Sequence, residues 1–71
     1  MVNKQELKSV IALSGDRQED LAAAIEVTPA TLSAKINGDT EFKGNEIEAI
    51  AVRYKLTAEG IRRIFFTAVV A

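Results

Sequence analysis

Asp16, Glu19 and Asp20 come nearest, by type and spacing, to a constellation for acid–base chemistry. They stand at a helix start, where carboxylates complement the positive end of the helix dipole. They read as a solvated, helix-stabilising group, not as a proton-transfer pair. The chain contains no histidine and no cysteine, so the usual general bases, thiolate nucleophiles and commonest zinc ligands are missing. Ser14, Ser33 and the threonines have no partner base, and no glycine pattern that cradles phosphate is present. The expectation is a protein that is not an enzyme and uses neither cofactor nor metal. What remains is binding chemistry, concentrated in "EVTPATLSAKING", residues 26–38. At helical spacing, residues 29, 30, 33 and 34 share one face, and Leu32 and Ile36 share the opposite one. One face can dock while the other meets a partner.

The elements that position these residues follow from apolar spacing and capping. Asn3, with Glu6 three residues on, caps a first helix over residues 4–14 that carries Leu7, Val10, Ile11 and Ser14, and Gly15 can stop it. A second helix, "RQEDLAAAI", takes Asp16 as its cap and turns Leu21, Ala22 and Ile25 inward. Thr28 caps a third helix with Pro29 at its first position, and Asn37-Gly38 closes it. A fourth helix over about 44–54 presents Ile47, Ile50, Ala51 and Tyr54. A fifth begins at Thr57 and presents Ile61, Ile64 and Phe65. The closing "IFFTAVVA" is β-branched and aromatic, so residues 65–70 admit an extended edge as the alternative to a helix end. The whole reads as one all-α domain of five short helices over residues 1–71, with a tail at 66–71.

Composition bounds the class. Seventy-one residues fit one small domain, and 48% hydrophobic with 27% charged residues is a globular balance. Nine basic residues face ten acidic ones for a net charge of −1. Bulk charge thus argues against nucleic-acid binding, and any basic footprint must be local. The N-terminus has no apolar run behind its charges, no stretch is apolar enough to span a bilayer, and cysteine is absent; a cytoplasmic protein is expected.

Ile25 ends one helix and Thr28 opens the next, with Glu26 and Val27 alone between them. Val27 can plug the angle, and Ala22 is small where the second helix passes close. These are features of a helix-turn-helix over about residues 17–37, whose second helix enters the major groove. Over about residues 5–66 the chain resembles the lambda-repressor and Cro-like (XRE-type) helix-turn-helix family. The resemblance is carried by Gln18, Leu21-Ala22, Val27, Thr28, Leu32, "ING", Phe42 and "EIEAIAVRYKL" in order. It is nearest to small repressor-like regulators of phages and mobile elements.

The resemblance implies a five-helix lambda-repressor-like fold and a sequence-specific regulator of transcription bound to double-stranded DNA. It implies that Gln18 donates to a phosphate and braces the third helix. Asn37 would meet a phosphate; Thr28, Pro29, Ala30, Thr31, Ser33 and Ala34 would face the groove. Lys35 and Lys43 would lie beside the DNA backbone, and Arg17 would reach a phosphate before the second helix, with Lys4 and Lys8 as further support.

The chain departs from the family at Glu26, where glycine is usual; a left-handed conformation is expected there, at a cost of about 1 kcal/mol. Pro29 has no donor, and Ala30 and Ala34 offer only methyl groups, for example to thymine. Hydrogen-bond readout rests on Thr31, Ser33 and Lys35, although Thr31 and Ser33 can instead bond to carbonyls within the helix. So light a footprint favours a homodimer through Ile61, Ile64, Phe65, Phe66, Val69 and Val70, spacing two reading helices roughly 34 Å apart. The alternative is a protein-binding module or antirepressor that keeps the scaffold without strong DNA binding.

Overall fold

The computed structural model describes residues 2–66. Among the described residues there are five helices and no strands: α1 (Lys4–Ser14), α2 (Gln18–Ala24), α3 (Pro29–Asn37), α4 (Gly44–Arg53) and α5 (Ala58–Phe65). The expected helices are all present, within a residue or so at each end.

Three helices start on side-chain caps. Asn3 Oδ1 accepts from the Glu6 backbone N at 3.2 Å. Thr28 Oγ1 accepts from Thr31 N at 3.1 Å and Thr57 Oγ1 from Gly60 N at 3.0 Å. Each satisfies a first-turn donor that the helix itself cannot. The other two starts use a reach-back carboxylate. Asp20 Oδ2 accepts from the Arg17 backbone N at 2.9 Å, and Glu46 Oε1 accepts from Lys43 N at 2.8 Å. The N-cap position of α2 is therefore Arg17. This corrects the assignment of Asp16, whose carboxylate is engaged elsewhere.

Two turns share one backbone solution. Glu26 takes φ 61° as expected, and Lys55 takes φ 53°, which the spacing did not suggest. In each, the following apolar residue bonds back across the helix end: Val27 N to Ala22 O, and Leu56 N to Ala51 O, both at 2.9 Å. A capping threonine then opens the next helix. Glu26-Val27-Thr28 and Lys55-Leu56-Thr57 are thus equivalent joints between α2 and α3 and between α4 and α5.

The core draws one fully buried side chain from every helix: Leu7, Leu21, Leu32, Ile50 and Ile64. Around them lie Ile11, Ile25, Ile36, Phe42 and Phe65. Phe42 meets Phe65 edge-on, with ring centroids 5.3 Å apart, which pins the loop after α3 to α5. Val27 and Ile47 pack against this cluster while partly buried. Ser14 is exposed and contributes nothing to the core.

The expected self-association surface changes here. Ile64 and Phe65 are core residues, 1% and 5% exposed, because α5 must close the bundle against α1 and α4. Of the remainder, Ile61 is half-buried and Phe66 is exposed. Val69 and Val70, like the rest of residues 67–71, lie outside the described residues. Among the described residues no helix is long and apolar enough to cross a membrane.

Candidate nucleic-acid interface

α3 is built to show one face and bury the other. Leu32 and Ile36 are 0% and 2% exposed and dock the helix on the core. Thr28, Pro29, Ala30 and Thr31 are exposed at its start, Asn37 is exposed at its end, and Ser33 and Ala34 are half-buried between them. α2 packs against α3, and Gln18 is the first residue of α2. The turn between them, residues 25–28, is fixed by the Val27 N to Ala22 O bond.

The hydroxyls at the front of α3 form a unit. Thr28 Oγ1 takes the Thr31 backbone N–H and donates to Thr31 Oγ1 at 2.9 Å. The Thr31 hydroxyl proton is then free to donate outward, towards an acceptor. Within the protein, Thr31 Oγ1 thus accepts from a neighbouring hydroxyl and is not bonded to a carbonyl of its own helix.

Lys35 is the main correction among the expected contacts. Its side chain does not project beside the docking face; the residue is 6% exposed. Its Nζ lies 3.1 Å from Glu46 Oε1 and donates to the Glu41 carbonyl at 3.0 Å. The ammonium also stands 5.9 Å from the centre of the Phe42 ring. Burial alone pushes the Glu46 carboxyl up, but the Lys43 backbone N–H and the Lys35 ammonium outweigh it and hold the group below its ordinary value. The signal for this was in the spacing. Lys35 lies three residues from Leu32 and beside Ile36, on the core side of α3, and Glu46 lies four residues before Ile50.

No exposed cation lies on α3; Lys4, Lys8, Arg17 and Lys43 stand on or beside α1, α2 and α4, and Lys55, Arg62 and Arg63 are exposed at the turn before α5 and on α5. Arg17 is exposed, and its guanidinium makes only a loose 3.7 Å approach to Glu19. Lys43 is exposed at the N-cap of α4. Lys4 Nζ donates to Asn37 Oδ1 at 3.2 Å, which leaves the Asn37 amide N–H groups directed away from that oxygen and able to donate. Lys4 is thereby brought to the end of α3, while Lys8 is exposed on α1 and lines a shallow depression with Gln18. Glu26, Asp39 and Glu41 are also exposed around the same helix.

A second cluster, which the sequence did not reveal, holds the start of α2. Arg53 Nε and Nη2 donate to Asp16 Oδ2 and Oδ1 at 2.7 and 3.1 Å, and the Tyr54 hydroxyl donates to Oδ2 at 2.8 Å. The fork from Arg53, and then the phenol of Tyr54, keep the Asp16 carboxyl below its ordinary value. Burial, with the bond to Asp16, pushes Tyr54 up to about 12. This ties the end of α4 to the residue two before Gln18. No local pattern could have announced it, because the partners are 37 and 38 residues apart.

Among the described residues, no group of acidic side chains is gathered as a metal site. Set against family models, curated proteins and solved structures, the chain matches none of them.

Proposed function

We propose that the chain is a sequence-specific double-stranded-DNA-binding regulator of transcription, a repressor or Cro-like switch on a lambda-repressor-like helix-turn-helix scaffold. The observation that carries the reading is the α2–turn–α3 unit. Its second helix is docked by Leu32 and Ile36 and presents Thr28, Pro29, Ala30 and Thr31 to solvent, with Gln18 at the start of the first. In this reading α3 enters the major groove. Thr31 donates to base acceptors, Ala30 and Ala34 offer methyl contacts, and Pro29 and Ser33 line the approach. Gln18, Asn37, Arg17 and Lys43 take phosphates, joined by Lys4 through its bond to Asn37. Lys35 leaves the contact set, being spent on Glu46. A second copy, meeting through Ile61 and Phe66, would double a footprint that is small in one protomer.

The test is a titration of duplex DNA from a random-sequence library at ~50 mM salt, repeated at higher salt. Binding that weakens with salt, and that enriches particular sequences, supports the reading.

A second reading, a protein-binding module, is favoured by one observation. With Lys35 buried, residues 28–37 expose no charged side chain, an unusual economy for a helix facing phosphates. Salt-independent capture of a protein, with no enrichment of any DNA, would select it.

A further inference from the structure

The buried pair between α3 and α4 is not accounted for by stability. Both residues are 6% exposed, and taking two charges from water is costly enough that an apolar pair of similar volume often serves as well or better. What an ion pair has and an apolar pair lacks is direction. Here one oxygen is shared: Glu46 Oε1 takes the Lys35 ammonium at 3.1 Å and the Lys43 backbone N–H at 2.8 Å. The same ammonium holds the Glu41 carbonyl at 3.0 Å. The loop between α3 and α4 is thus folded round a charge that belongs to α3, and its last residue, Lys43, is bonded to the carboxylate that neutralises that charge.

We propose that Glu46 is the positioning residue of the interface, its shared oxygen setting the reach between the exposed face of α3 and the Lys43 side chain. This rests on the reading of that face as a duplex-DNA interface. A duplex fixes the separation of groove and flanking phosphate, so a protein that meets both must hold its two contacts at one spacing. The lysine stem is flexible, but its origin is fixed by the Lys43 N–H bond, and the α3 face is fixed to the same atom through Lys35. Lys35 acts on DNA only through Glu46, and Glu46 only through Lys43.

The experiment measures binding to library-selected duplex DNA across a salt series, with folding of every variant checked by circular dichroism. Lys43→Ala in the wild-type background is expected to lower the salt slope by about one unit, the signature of one lost phosphate. Glu46→Gln keeps an acceptor for both donors while leaving the Lys35 charge uncompensated, so it is expected to lower stability but to retain the full slope under conditions where it is folded. Lys35→Met/Glu46→Met is expected to fold and to lose about one unit, with Lys43→Ala costing nothing further in that background. Glu46→Asp, which keeps the charge but is too short to serve both donors, is expected to show the same loss and serves if the double variant does not fold. A full slope in the double variant or in Glu46→Asp, or an additional loss on adding Lys43→Ala, overturns the proposal. If the wild-type protein itself shows no salt-dependent binding, it is the DNA reading that fails.

Discussion

Lys35 Nζ and Glu46 Oε1 lie 3.1 Å apart, with each side chain 7% exposed. A lysine on the third helix, expected beside phosphate, is instead an internal brace between α3 and α4. Removing either partner leaves an uncompensated buried charge, whereas removing both leaves a cavity-sized packing problem that methionines can fill. Lys35→Met and Glu46→Met are each expected to lower stability by about 3–5 kcal/mol. The double variant is expected to recover most of that loss in urea unfolding. Additive losses would mean that the two groups do not act as a pair.

Stability should fall at both ends of the pH scale. Asp16 and Glu46 are held below their ordinary values of 3.8 and 4.5. Their contribution is present above those values and is lost as pH falls through the lowered ones. Tyr54 is raised from 10.0 to about 12, so its contribution is present below pH 10 and lost as pH rises towards 12. Ultraviolet titration of this single tyrosine checks the alkaline limb. In Asp16→Asn the titration should move down only part of the way, because burial is the larger cause. An unchanged titration would show that the Asp16 bond does not form.

Glu26 and Lys55 occupy left-handed backbone at φ 61° and 53°. A side chain there costs roughly 1–2 kcal/mol, part of which glycine returns as greater freedom when unfolded. Glu26→Gly and Lys55→Gly are each expected to stabilise the protein by about 0.5–1 kcal/mol. Thermal melts give the sign. A lower melting temperature for both would mean that the two side chains make stabilising contacts.

The helices were legible because each is specified locally. Asn3, Thr28 and Thr57 cap, Gly15 and Gly38 take φ 86° and 89° at the ends of α1 and α3, and Leu32 and Ile36 repeat at helical spacing. The left-handed turn at Glu26 was legible only through the resemblance, which makes glycine usual at that position. Its twin at Lys55 was not, although "KLT" repeats the logic of "EVT". The charged side chains were the least legible. Asp16 is a capping residue type just before α2, yet its partners, Arg53 and Tyr54, come from the far end of α4. The resemblance points Lys35 to the DNA backbone, but its register on α3 places it among core residues. Ile64 and Phe65 fit both the core stripe of α5 and a self-association surface by sequence alone, and a bundle this small needs both inside.

The exposed positions separate binding from folding. Ala30 is exposed at the front of α3; Ala30→Glu should leave the melting temperature nearly unchanged and abolish DNA binding by setting a carboxylate against the groove. Gln18→Ala should weaken binding to all sequences alike, as expected of a phosphate contact. Equal binding by Ala30→Glu and wild-type protein would remove α3 from the groove.

The most direct test of the central claim is the affinity of the wild-type chain for library-selected duplex DNA as a function of salt. Arg17, Lys43 and Lys4 predict a line of log affinity against log salt whose slope is about −2 to −3 per protomer, near −0.9 for each phosphate met by a cation. That slope should shrink by about one unit in Lys43→Ala. A flat line, or no binding even at the lowest salt, would contradict the account.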